Sequence, residues 1–360
     1  MIMKMEATEE EIKQVIKEIR RHGLKADVSR GDFRTVIGLV GDERRVSFDH
    51  LSTLPGVKEV VKIETPYKLI SREYGHAADG TAGFSKTVNL GDNVHIGNGE
   101  PIFMAGPCAV EKRDQLFRIA EDVKKAGAHI LRGGIFKPRS SVHSFQGIGG
   151  LDMKSAETGL KWMRDAGKAF GMPVVTEVRG EEHVDIAAEY ADILQIGSRN
   201  MYNQDLLARV GRKNKPVLLK RHFGAGIEEF LSFAEYIAAE GNKNIILCER
   251  GIVPVGKGRE YTRYTLDLAA VPAMKKETYL PVIVDPSHGT GRSDLVYDTS
   301  CAAIAAGADG LIIEAHYNPQ EAIVDGRQTI TPTELKDIIK ATREIHRIVR
   351  ARRESVTGGN

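Results

Sequence analysis

Cysteine is scarce in this chain of 360 residues: Cys108, Cys248 and Cys301 are odd in number and far apart. Such spacing excludes a disulfide framework and leaves the thiols free for other chemistry. Long apolar runs are missing too. No window of about 20 uncharged apolar residues exists, so no membrane-spanning helix is expected. Neither sign of charge dominates: 51 Lys and Arg stand against 49 Asp and Glu, a net +2 that gives no reason to expect nucleic acid as a partner. The start, MIMKMEATEEEIKQ, turns acidic where a secretory signal needs an apolar core, so a cytoplasmic, reducing setting is expected. Two nucleotide signatures are also absent. No Gly-x-Gly-x-x-Gly follows an early strand, and no phosphate loop ends in Gly-Lys-Ser/Thr. The basic close of the chain (Arg347, Arg350, Arg352, Arg353) reads as cations complementing a helix C-terminus.

What is present divides in two. To about residue 66 the patterns run strand (MIMKMEA), amphipathic helix (EEEIKQVIKEIRRHG), a hairpin pair (ADVSRG, TVIGLVGD), short helix (FDHLSTLPG) and alternating strand (VKEVVKIE). The order βαββαβ is that of a small ferredoxin-like α+β domain. It holds no cluster of catalytic residue types, so regulation or assembly is its expected role. Residues 67–85, with Gly75, Gly80 and Gly83, have the composition of a linker. From 86 to 350, after a hairpin-like stretch (VNLGDNVHIGNG), eight apolar runs alternate with helical patterns, and 351–360 form a tail. That grammar over roughly 250 residues is that of a (β/α)8 TIM barrel in the α/β class.

In such barrels the active site lies at the C-terminal rim of the strands. The eight runs end, in order, at Cys108, Arg132, Glu177, Gln195 with Arg199, Lys220 with Arg221, Glu249 with Arg250, His288, and Glu314. Solvation explains one polar strand end easily; eight of eight require another reason. Cys108, His288, Glu314 and Asp325 (in VDGRQ) combine thiol, imidazole and carboxylates, a donor set for one divalent ion such as Mn, Fe, Co or Zn. Arg132, Lys137, Arg139, Arg199, Lys220, Arg221 and Arg250 form a cationic group that repels itself unless polyanions neutralise it. Their number points to two phosphorylated substrates or one bisphosphate, although ion pairs with Glu177 and Glu249 account for part of the set. The loop Lys137-Pro138-Arg139-Ser140-Ser141 offers two cations and two hydroxyls on a Pro-stiffened segment, suited to a sugar phosphate.

The string LRGGIFKPRSS with SFQG after it, AGPC before it, and DPSH and IIEAH further on, resembles the 3-deoxy-D-arabino-heptulosonate 7-phosphate (DAHP) synthases of the type I beta branch. The likeness covers about residues 86–350, and the N-terminal module resembles the regulatory domain some members carry. This resemblance implies a metal-dependent transferase that condenses phosphoenolpyruvate with erythrose 4-phosphate and water into DAHP and phosphate, the first step toward chorismate and the aromatic amino acids. It assigns Cys108, His288, Glu314 and Asp325 to the metal. It assigns Arg132, Lys137, Arg199, Lys220 and Arg250 to phosphoenolpyruvate, with Glu177 close by, and Pro138, Arg139, Ser140 and Ser141 to the aldose phosphate. Lys137, Glu177, Lys220 and His288 are its candidate catalytic residues. It also implies a homotetramer inhibited by an aromatic amino acid, tyrosine or phenylalanine, at the N-terminal domain.

Ser140 stands where Thr is common, and His222-Phe223 where a Gly-containing turn is expected. The sister enzymes that make 3-deoxy-D-manno-octulosonate 8-phosphate from arabinose 5-phosphate carry Lys-Ala-Asn-Arg in this loop, so Pro138 favours the four-carbon aldose. Without the resemblance, a barrel hydrolase, a Schiff-base aldolase using Lys220 and a non-catalytic metabolite sensor stay open.

Overall fold

The computed structural model describes residues 1–360 except 31–34, 43–44, 63–64, 80–84, 92–93, 138–142, 255–260 and 358–360. The N-terminal module is built from β1 (Ile2–Met3), α1 (Glu9–Arg21), β2 (Lys25–Arg30), β3 (Thr35–Val40), α2 (Phe48–Ser52) and β4 (Val57–Glu59). Its sheet is antiparallel in the order β2-β3-β1-β4, as the βαββαβ pattern requires. Helix α1 begins where Thr8 and Glu11 satisfy each other's backbone N–H groups, a capping box. Its buried face, Ile12, Val15 and Ile19, closes on Ile37 and Leu51.

The segment expected as a linker carries more structure than its glycines imply. It contains α3 (Arg72–Asp79) and is tied to the second unit. The Leu69 and Ile70 N–H groups donate to the Glu235 carboxylate, and the Tyr279 hydroxyl donates to the Leu69 carbonyl. Asp27 of β2 accepts from both Tyr74 and Lys243 at 2.6 Å, so the small sheet is pinned both to α3 and to the second unit.

After the hairpin β5 (Val88–Asn89) and β6 (His95–Ile96), eight parallel strands close a barrel: β7 (Ile102–Gly106), β8 (Ile130–Arg132), β9 (Val174–Val178), β10 (Ile193–Ile196), β11 (Val217–Lys220), β12 (Ile245–Glu249), β13 (Val282–Val284) and β14 (Gly310–Glu314). The surrounding helices are α4 (Arg113–Ala126), α5 (Met153–Ala169), α6 (Val184–Tyr190), α7 (Gln204–Gly211), α8 (Ile227–Ala239), α9 (Ala270–Glu277), α11 (Val296–Ala306) and α12 (Pro332–Thr357). The short α10 (Pro286–Thr290) is inserted after β13, and α12 runs on into the expected tail. Period-2 alternation sorts the strand residues. Met104, Ile130, Val175, Ile193, Leu218, Ile246, Ile283 and Ile312, one per strand, fill the lumen, and Val88 and Ile96 of the hairpin join this cluster. Their neighbours Phe103, Leu131, Val174, Leu194 and Leu247 pack with the helices. Each of these aliphatic side chains contributes about 1.5–3 kcal/mol when fully buried. The lumen is therefore a packed core that leaves function to the rim.

Candidate active site

The rim is built by strand ends and by the short elements after them. Gly106 closes β7 at φ +153°, and a Cβ there would fall 2.1 Å from the Arg132 carbonyl oxygen, so only glycine allows this approach. Cys108 lies two residues further on. After β13, Asp285 caps α10: its carboxylate accepts the His288 backbone N–H at 2.9 Å, with Pro286 in the first turn. The same carboxylate faces His288 Nδ1 at 2.8 Å, which turns Nε2 toward Glu314 Oε1, 3.2 Å away. Asp325 sits in a turn at φ +54°, a left-handed conformation that aspartate tolerates better than most residues.

One ligand atom each from Cys108, His288, Glu314 and Asp325 lies within 4.8 Å of the others. Thiol, imidazole and two carboxylates at this spacing fit a borderline divalent ion. Around them Lys137 Nζ lies 2.6 Å from Cys108 Sγ and 3.3 Å from Asp325, and Arg132 donates to Glu314 Oε1 at 2.8 Å. Burial pushes the Cys108 thiol up, and the Glu314 carboxylate adds to this. Burial lowers His288 to about 4, leaving the ring neutral as a ligand requires. Against the cost of burial, His288, Arg132 and Lys137 hold Glu314 below the usual carboxylate range. Asp285 is likewise held well below it by His288 and Lys220.

Beside this cluster opens a cavity of about 290 Å³, its wall including Lys137, Glu177, Arg199, Lys220, Arg250 and His288, with Phe223 and Tyr264 as apolar facing. Lys220 is paired with the buried Asp285. Glu177 accepts from Gln195 Nε2 at 3.0 Å and packs on Gly197. The Arg250 guanidinium lies 4.2 Å from the Tyr264 ring centroid, and its buried Nη1 has no hydrogen-bond partner among the described residues. Arg132 Nε is in the same position. Buried donors left unpaired are costly and mark places where an acceptor is expected.

Two expectations need restating. Arg221, grouped by sequence with the anion-binding cations, is bound to Glu249 at 2.9 Å and Asp267 at 3.0 Å, with its Nε donating to the Ala225 carbonyl. It is a structural ion pair, the fate foreseen for part of the set. Pro138, Arg139, Ser140 and Ser141 lie outside the described residues. The His222-Phe223 segment opens a turn whose glycine is Gly224: the Ala225 N–H donates to the His222 carbonyl at 3.0 Å, and the His222 and Phe223 rings lie 4.0 Å apart. Sequence reasoning missed Asp285 and Gln328. Asp285 had a signal, an Asp-Pro pair three residues before a strand-end His; Gln328, which donates to Glu314 Oε2 at 2.6 Å, had none.

Comparison with known proteins agrees with this geometry. Residues 76–351 match the DAHP synthetase I family, and residues 1–65 match the DAHP synthase ferredoxin-like domain. The phospho-2-dehydro-3-deoxyheptonate aldolase of Thermotoga maritima is 47% identical over 344 residues, 96% of either chain. The crystal structure of the DAHP synthase from Thermotoga maritima aligns with a TM-score of 0.72 at 46% identity, over 97% of this chain and 96% of that one. A truncated form of the Thermotoga enzyme aligns at 0.67 and 44% identity, over 79% of this chain and 97% of its own. The 2-dehydro-3-deoxyphosphooctonate aldolase of Syntrophobacter fumaroxidans is more distant, 32% identical over 71% of this chain and 90% of its own. No helix among the described residues is long and apolar enough to cross a membrane. An eight-stranded barrel with this rim, preceded by this sheet, places the chain in the DAHP synthetase I family as a transferase of the aldol-condensation type with an N-terminal ferredoxin-like domain.

Proposed function

We propose that this enzyme condenses phosphoenolpyruvate with erythrose 4-phosphate and water, releasing DAHP and inorganic phosphate, in a reaction that depends on a divalent metal held by Cys108, His288, Glu314 and Asp325. The observation that carries the reading is the adjacency of that four-donor cluster to a cavity walled by Lys137, Arg199, Lys220 and Arg250. When bound, the ion supplies Lewis acidity toward the aldehyde.

The chain's own residues do the rest. Arg132, Lys137, Arg199, Lys220 and Arg250 hold the phosphate and carboxylate of phosphoenolpyruvate, guanidinium groups matching both in a bidentate way. The enol carbon forms a bond to the aldehyde carbon, and positive charge develops at the carbon carrying the phosphate ester. Lys137 Nζ donates a proton to the aldehyde oxygen as it becomes an alkoxide. Glu177, steadied by Gln195, and Lys220, steadied by Asp285, position the water that adds to the cationic carbon. The adduct then expels phosphate by carbon–oxygen cleavage as its new hydroxyl becomes the ketone. Of the two protons of the added water, one replaces the proton Lys137 gave and the other leaves with phosphate. Orientation and fixed charge are the enzyme's main contributions.

Arabinose 5-phosphate is the competing aldose, since the octulosonate relative shares the barrel. Pro138 and the similarity to the heptonate enzyme along both units support the four-carbon sugar. Phosphate release from phosphoenolpyruvate is therefore expected with erythrose 4-phosphate, not with arabinose 5-phosphate, and is expected to stop with chelator. Release with arabinose 5-phosphate alone, or indifference to chelator, refutes the reading.

The same proposal takes residues 1–66 as a regulatory domain, in a cytoplasmic homotetramer inhibited by tyrosine or phenylalanine. Its support is the ferredoxin-like family match and the absence of a metal-donor cluster among the described residues of that unit. Deleting residues 1–66 should spare turnover and remove inhibition; a truncated enzyme still fully inhibited contradicts the role.

A further inference from the structure

Glu314 carries a constraint that its place at a strand end does not explain. Its two carboxylate oxygens are claimed by different donors: Arg132 Nη1 on Oε1 at 2.8 Å, and Gln328 Nε2 on Oε2 at 2.6 Å. The terminal torsion of a glutamate is broad and roughly two-fold, so one donor leaves the carboxylate free to rock. A donor on each oxygen removes that freedom. Gln328 is itself fixed. It is 3% exposed, and its Oε1 accepts from Arg263 Nη1 at 3.3 Å. With the amide oxygen taken by an obligate donor, the amide nitrogen must face Glu314.

Backbone geometry shows why this residue reaches. From Asp325, held at φ +54°, the chain makes a single 3₁₀ turn, Gly326–Gln328, in which the Gln328 N–H returns to the Asp325 carbonyl at 3.1 Å. The segment then lies along β14: the Ile330 N–H donates to the Glu314 carbonyl at 3.0 Å. One turn thus delivers Asp325 to the donor cluster and, three residues on, the side chain that orients Glu314.

We propose that Gln328 is a positioning residue for the metal centre, clamping Glu314 with Arg132 in the orientation in which it meets the cation, and itself oriented by Arg263. The role rests on reading Glu314 as a ligand. Partners of this kind typically change metal affinity 10–100-fold when removed.

The test titrates metal-free, full-length enzyme with Co²⁺ and reads the thiolate-to-cobalt absorption, which reports the centre whether or not the enzyme turns over. Gln328→Met keeps the length and removes the amide; affinity should fall roughly 10–100-fold. The kcat at limiting metal should fall with it and recover with excess metal, with little change in KM for phosphoenolpyruvate. Arg263→Met, which frees the amide to rotate, should move affinity the same way by less, and stands as the deciding variant if Gln328→Met does not fold. Wild-type cobalt affinity in the folded variants overturns the role of Gln328 alone. A wild type without the absorption, or a Cys108→Ala variant that keeps it, overturns the centre itself and the role with it.

Discussion

Two networks of buried charge sit side by side at the barrel mouth, and they are built on different principles. In one, Arg221 is bound to Glu249 and Asp267, while Glu249 also accepts the Gly251 N–H at 2.6 Å. Every strong charge there is answered from within the molecule. The other network gathers Cys108, His288, Glu314 and Asp325 within 4.8 Å and faces a cavity where Arg250 Nη1 has no described partner. A closed network is scaffolding: removing a member leaves an uncompensated buried charge. An open one is a site, because its remaining bonds point outward. Residue type alone does not separate the two, since arginine and glutamate serve in both.

The comparison can be broken most severely at Cys108. Cys108→Ala should abolish cobalt absorption and lower phosphate release by roughly 10³-fold, about 4 kcal/mol of barrier, with the melting temperature little changed. Full activity in the metal-loaded variant would refute the assignment. The converse experiment cuts the closed network. Glu249→Ala leaves Arg221 with Asp267 alone and the Gly251 N–H without its acceptor, and should cost about 1–3 kcal/mol in denaturant unfolding, while the folded fraction keeps its cobalt affinity. A smaller effect is expected at the cavity wall: Arg250→Ala should raise KM for phosphoenolpyruvate roughly 10–100-fold, the worth of one charged hydrogen bond, without altering stability.

The smallest expected effect concerns a third contact, where Glu235 holds the Leu69 and Ile70 N–H groups near Lys243 and Asp27. Burial raises this carboxyl from 4.5 to about 7. The folded state therefore binds the proton more tightly than the unfolded chain, and stability falls as pH rises from about 4.5 to about 7. Glu235→Gln should flatten that dependence, seen as a change of roughly 2–4 °C in Tm between pH 5 and pH 8. An unchanged slope would show that the carboxyl does not titrate there.

Much of the barrel was legible because its signals are local. Each apolar run of four or five residues ends at a polar side chain, so the rim can be written down from Cys108 to Glu314 once the strands are counted. The ferredoxin-like unit was legible for the same reason, although its last strand stops at Glu59 rather than continuing through Val60, Val61 and Lys62. What stayed hidden depends on distance across the fold. That Glu249 takes a cation was expected, but which one was not: Arg221 meets it across 28 positions, and Lys220 meets Asp285 across 65, choices that periodicity does not encode. The helix Arg72–Asp79 was masked by Gly75 within it and by Gly80 and Gly83 after it, the residues just before it being held by docking against Glu235 and Thr278. Gln328 was invisible because a lone glutamine in a loop has no pattern; only the turn that starts at Asp325 gives it a target.

The central claim, that four distant side chains meet around one divalent ion beside a cationic cavity, is tested most directly by anomalous diffraction from crystals grown with Mn²⁺. The account predicts a single strong peak within about 2.0–2.4 Å of Cys108 Sγ and of His288, Glu314 and Asp325 donor atoms. A peak bound elsewhere, or none at these residues in an enzyme that still releases phosphate, would contradict it.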